Sequence, residues 1–127
     1  MKNLVREHKK LAVVIAVAVL LVAWWLPASV CGSLVAHFDV ARGHYEVQSY
    51  GLPASWRPEY ARLLRERYGI EHHTVAGCVV TESLVSYVSA YNSVVRAAAK
   101  RKFGHDVFPE CAADAKGMQR AVKRMAK

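Results

Sequence analysis

From Leu11 to Leu26 the chain reads LAVVIAVAVLLVAWWL, an apolar run with no charged or hydrogen-bonding polar break other than its closing indoles. At a helical rise of 1.5 Å per residue it covers about 24 Å, slightly less than a hydrocarbon core of about 30 Å. The flanks supply the difference. Lys9 and Lys10 can snorkel at one end, and the chain stays uncharged from Pro27 through Ala36 at the other. Trp24 and Trp25 fit the aromatic belt of a membrane interface. The pattern predicts a basic tail over 1–10, a transmembrane helix over 11–30, a stalk over 31–42 and a folded domain over 43–127.

Beyond the run the periodicity changes. Ser33–Arg42 fits an alternating strand and a helix equally, and is read as a stalk or short helix leading into Gly43. In GHYEVQSYG, Tyr45, Val47 and Ser49 alternate with His44, Glu46 and Gln48, which predicts a half-buried strand stopped by Gly51-Leu52-Pro53. Pro58 then opens an amphipathic helix carrying Tyr60, Leu63, Leu64 and Tyr68 on one face, ended by Gly69. Ile70–Val80 is rich in β-branched residues and predicts a second strand, its later half apolar on both faces and therefore interior. Thr81 or Ser83 caps a helix with Leu84, Tyr87, Val88, Tyr91, Val94, Val95 and Ala98 in register, ended at Phe103-Gly104. A last helix runs from about Pro109, with Ala112, Ala115, Met118, Val122 and Met125 opposite a basic face. The expected fold is α+β: strand, helix, strand, helix, helix behind a transmembrane helix. Its sheet has two strands, or three if Ser33–Val40 pairs. A two-stranded sheet leaves an edge that another subunit can cover.

Charge adds direction. Of 127 residues 18 are Lys or Arg and 10 are Asp or Glu. Lys2, Arg6, Lys9 and Lys10 precede the apolar run and only Arg42 follows closely, so the positive-inside rule leaves the N-terminus in the cytoplasm. The expected location is the bacterial inner membrane, with the C-terminal domain periplasmic or extracellular. Two export alternatives share these features: a signal peptide cut after Gly32, releasing a secreted domain, and lipidation at Cys31. Val30-Cys31-Gly32 is a poor small-residue cleavage pattern, and Val30 is the wrong residue before a lipidated cysteine, so a retained anchor is favoured.

Export makes the cysteines interesting. A Cys78–Cys111 disulfide would pin the last helix to the sheet, with a loop-closure benefit of about 3 kcal/mol in the chain-entropy model; the alternative is two separate thiols. No C-x-x-C is present, and an exported enzyme or thiol-redox protein using Cys78 is the runner-up function. His72 and His73 point to opposite faces of a strand and lack metal-ligand spacing, so no metal or other cofactor is expected. No strained serine elbow or phosphate-binding glycine loop occurs, and no catalytic residues are assigned. The basic clusters Arg96–Lys102 and Lys116–Lys127 lack interleaved aromatics, and with the expected export they argue against nucleic acid. Trp56-Arg57 and Tyr91-Asn92 are the candidate partner surface. The motifs YGLP, LLRERYGIE, VAGCVV and KRKFGHDVF resemble those of small single-pass bacterial membrane proteins, a likeness that carries no residue roles. The expected function is binding, scaffolding or accessory: a domain tethered to the lipid bilayer, engaging an envelope protein or a second copy of itself.

Overall fold

The computed structural model describes residues 2–127, with side chains from 8 onward. The side chains of Lys2 and Arg6, which entered the orientation argument, lie outside the described set. Helix α1 (Lys2–Trp25) contains an apolar span from His8 to Trp25, long enough to cross a membrane and with none of it buried against protein. Lys9 and Lys10 are exposed near one end of that span and Trp24 and Trp25 at the other. Pro27 then sits before helix α2 (Ala28–Ala41), where its missing N–H costs no helical bond.

The folded part is α+β, but helices come first and the sheet has two strands. After α2 come strand β1 (Glu46–Tyr50), helix α3 (Arg57–Tyr68), strand β2 (Glu71–Ala76), helix α4 (Glu82–Phe103) and helix α5 (Val107–Met125). The segment expected as a stalk or short helix is therefore helix, and it belongs to the packed body. Gly32 and Ala36 are its buried residues, and they face α4 because a small side chain lets the two backbones approach. Tyr91 of α4 closes this pairing by donating its hydroxyl to Asp39 Oδ2 at 2.7 Å.

The strands pair in parallel, Glu46 beside Glu71 and Val47 beside His72, with α3 as the crossover. The second strand is shorter than the sequence pattern suggests. Tyr50, the last residue of β1, pairs with Ala76, so residues 77–80 have no strand to join and run as an exposed loop. Val79 is 79% exposed there, correcting the expectation that this stretch is interior.

Local signals set the helix ends. Thr81 Oγ1 accepts the Leu84 N–H at 3.2 Å, and Asp106 Oδ1 accepts the Phe108 N–H at 3.2 Å. Gly69 and Gly104 close α3 and α4 with φ of 65° and 81°, a left-handed geometry that side chains oppose. The core joins Leu63, Leu64, Ile70, Val95, Phe108 and Cys111 with Ala36 and Val47. Packing divides around it: α4 holds α2 and β1, whereas α3 holds α5 and β2. The backbones of α3 and α4 stand apart; strand pairing and an α4–α5 contact join the halves.

Candidate functional site

Because α3 and α4 stand apart, a cleft opens between them, floored by β1 and closed at one side by the start of α5. Its volume is about 740 Å³. That lies within the range of small-molecule sites, roughly 300–1,000 Å³.

One wall comes from the turn into α3. Trp56 and Tyr60 meet edge to face with centroids 5.7 Å apart, and Tyr60 meets His72 of β2 in the same way at 5.8 Å. Lys116 Nζ lies 4.7 Å from the Trp56 ring, fixing the indole from behind. Arg57 occupies the first position of α3 and donates to Ser49 Oγ at 3.5 Å. This helix begins without a side-chain cap and carries Glu59 in its first turn, which offsets its positive end, so the charge on this wall is that of Arg57.

The opposite wall is α4, presenting Ser89, Asn92, Ser93 and Arg96 at successive turns. The Arg96 guanidinium carbon sits 5.0 Å from the centre of the Phe108 ring. Burial pushes the Tyr60 hydroxyl up to about 12, outweighing the opposing charge of Arg96 across the cleft and leaving it protonated at neutral pH. Burial first, then the neighbouring charges of Arg57 and His73, lower the His72 imidazole below its ordinary value.

The chemical character is one-sided. Two arginines, a histidine and several hydroxyl groups line the cleft, and no carboxylate does. Among the described residues neither Arg57 nor Arg96 forms an ion pair. Arg62, by contrast, is held by Glu59 and Glu66, and Arg67 by Asp114 at 2.6 Å. Two acids outside the lining act on the cleft: Glu46, which accepts from Gln48 Nε2 at 3.1 Å and acts on His72, and Asp106, already engaged as the α5 cap, which acts on Tyr60. Such a site attracts an anion, with guanidinium forks matching carboxylate or phosphate oxygens.

The candidate residues from the sequence divide accordingly. Trp56, Arg57 and Asn92 line the cleft. Tyr91 is buried at 1% exposure, its hydroxyl committed to Asp39. Asn92 is half-buried and spends its amide on the free edge of β1: the Gln48 N–H donates to Asn92 Oδ1 at 2.8 Å, and Asn92 Nδ2 donates to the Gln48 carbonyl at 2.7 Å. The amide thus stands in for a neighbouring strand. Cys31, Cys78 and Cys111 are free thiols: Cys78 is exposed in the loop after β2, Cys111 is buried in α5, and no Cys78–Cys111 bridge joins them. Burial raises the Cys111 thiol. Arg96 and His72 were not read as site residues, although Arg96 carries a local signal: no acid lies three or four positions away to pair with it.

A second polar group lies at the opening ends of the strands, where His44, Glu46 and Glu71 bring ligand atoms within 4.8 Å of one another. His44 Nε2 is 3.4 Å from Glu46 Oε2, beside the Glu71 that the strand register sets next to Glu46.

The chain matches no protein family, no curated protein and no solved structure.

Proposed function

We propose that this is a membrane-anchored binding protein whose folded domain takes the anionic group of a ligand into the cleft between Arg57 and Arg96. The observation that carries the reading is a cleft of about 740 Å³ lined by two arginines that have no ion-pair partner among the described residues, and by no carboxylate. Trp56 and Phe108 offer apolar surface to the rest of the ligand, and Ser89 and Ser93 offer hydroxyl groups. The α1 span supports tethering. The charge step from Lys2, Arg6, Lys9 and Lys10 to the single Arg42 supports a cytoplasmic N-terminus and an exported domain.

Thermal unfolding of the full chain in detergent tests the binding claim, with inorganic phosphate and succinate compared against chloride at equal ionic strength. At least one of the two anions raises the midpoint, and Arg57→Gln with Arg96→Gln removes the increase without unfolding the protein. Equal midpoints in all three salts, or a shift that survives the double substitution, contradict the proposal.

A further inference from the structure

The contacts fix which end of the domain faces the bilayer. Gly32 of α2 touches Tyr87 of α4, while Tyr45, just past α2, lies under Lys102 near the end of α4. Both helices therefore run in the same direction, away from α1. Tyr87 lies five residues into α4 from Glu82, and Gly32 lies five residues beyond Pro27, each about 8 Å of helix. The start of α4, with the loop 77–81 before it, is thus level with the start of α2, where the chain leaves α1. Strands β1 and β2 run toward this end.

Helix α5 returns to it. Asp114 meets Arg67 at the far end of α3, Lys116 meets Trp56, and Gln119 bonds Ser55 before α3 begins. From Gln119 the helix continues to Met125 past the body of the domain, about 9 Å further toward the membrane.

The two ends differ in chemistry. The far turns present Arg42, Gly43 and His44, then Gly69, then Gly104 and His105, and the exposed large apolar side chain beside them, Phe38, is covered on one face by the Arg42 guanidinium at 3.9 Å. The near end exposes Leu52 (78%), Val79 (79%), Val122 (61%) and Met125 (80%). Arg120, Lys123, Arg124 and Lys127 surround the last two, and no acid follows Asp114 in α5. The acids toward the near end are Glu82 and Glu59, the latter paired with Arg62.

Resting on the reading of α1 as a membrane anchor, we infer that the end of α5, with the loops around Leu52 and Val79, docks the domain on an anionic bilayer surface. Met118, Val122 and Met125 are spaced to form one apolar stripe that enters the interface, and the flanking cations pair with lipid phosphates. Anchor and docking surface then hold the domain at two points, fixing the cleft relative to the membrane.

The test uses the full chain in liposomes, with Cys31→Ser and Cys78→Ser leaving only the buried thiol of Cys111. A nitroxide is placed at Met125→Cys, at Val17→Cys within α1, or at His105→Cys at the far end, and collision with oxygen and with a water-soluble nickel chelate is measured by electron paramagnetic resonance. Circular dichroism and melting confirm the fold of each variant. In phosphatidylglycerol-containing vesicles the label at 125 becomes oxygen-accessible and shielded from nickel, while the label at 105 stays in water. Arg120→Glu, Lys123→Glu and Arg124→Glu together lower the docked-to-free ratio by about tenfold or more. A shielded label at 17 with a water-exposed label at 125 in every vesicle overturns docking and leaves the anchor standing. A water-exposed label at 17 overturns the anchor and the docking with it. A label at 125 shielded from both reagents overturns docking in favour of contact with a second copy of the chain.

Discussion

Adding one methyl group at Gly32 tests the packing that makes α2 part of the domain. An ideally placed Cβ there would stand 2.3 Å from the Tyr87 carbonyl oxygen. An ordinary carbon–oxygen contact is about 3.3 Å, so the helices must part by about 1 Å. The obstacle is α4 backbone, which cannot rotate aside as a side chain would. Two effects oppose each other in Gly32→Ala. Helix propensity favours alanine by about 1 kcal/mol, whereas overpacking costs about 1–3 kcal/mol, toward the upper end against a rigid carbonyl. The net expectation is a loss of about 1–2 kcal/mol, or about 5–10 °C in melting temperature for a domain of this size. Gly117→Ala in α5 is the internal control, because nothing lies within 4 Å of its Cβ position. There the propensity gain acts alone and stability rises by about 0.5–1 kcal/mol. Melting both variants of the full chain in one detergent, followed by circular dichroism, gives shifts of opposite sign. An unchanged or raised midpoint for Gly32→Ala would refute the close approach of α2 and α4.

Other consequences follow from individual contacts. Asn92→Asp keeps an acceptor for the Gln48 N–H but turns an oxygen toward the Gln48 carbonyl, and should cost about 1–3 kcal/mol by denaturant titration; an unchanged midpoint would remove the amide's role as a strand surrogate. The His72 imidazole is lowered by burial and then by Arg57, so in the window from its ordinary 6.5 down to its folded value the unfolded chain binds more protons. The stability present above pH 6.5 is therefore lost as the pH falls through that window. His72→Gln should flatten the slope relative to the parent, and parallel pH profiles would count against it. Maleimide should modify Cys78 rapidly in the native protein and Cys111 only on unfolding; a Cys111 that stays unreactive after denaturation without reductant would instead reveal a bridge.

The elements legible in the sequence were those with local causes. Helices α3 and α4 carry their own amphipathic faces and end signals, Pro58 and Gly69 for one and Thr81 and Gly104 for the other, so their limits agree with expectation within a residue or two. The end of β2 depended on something distant: Val79 and Val80 have strand-forming side chains, but β1 stops at Tyr50 and offers them no partner. Tyr91 and Asn92 show the same limit. Polar groups in the middle of a core-facing helix suggest an outward role until Asp39 and Gln48, far away in sequence, claim them. Part of the cleft was visible in Trp56, Arg57 and Asn92. Arg96 was obscured by the basic run that follows it, and His72 by its neighbour His73, because only the separation of α3 from α4 brings them to one opening.

The central claim is that Arg57 and Arg96 are held ready for an anion, and the arginine side-chain amides report on it directly. Nitrogen-15 spectra of the full chain in micelles, recorded while inorganic phosphate or succinate replaces chloride at constant ionic strength, should show saturable shifts of the Nε–Hε signals of Arg57 and Arg96. Arg62 and Arg67, already engaged by Glu59, Glu66 and Asp114, should stay in place. Silent signals from Arg57 and Arg96, or equal unsaturating drift of all four arginines, would contradict the account.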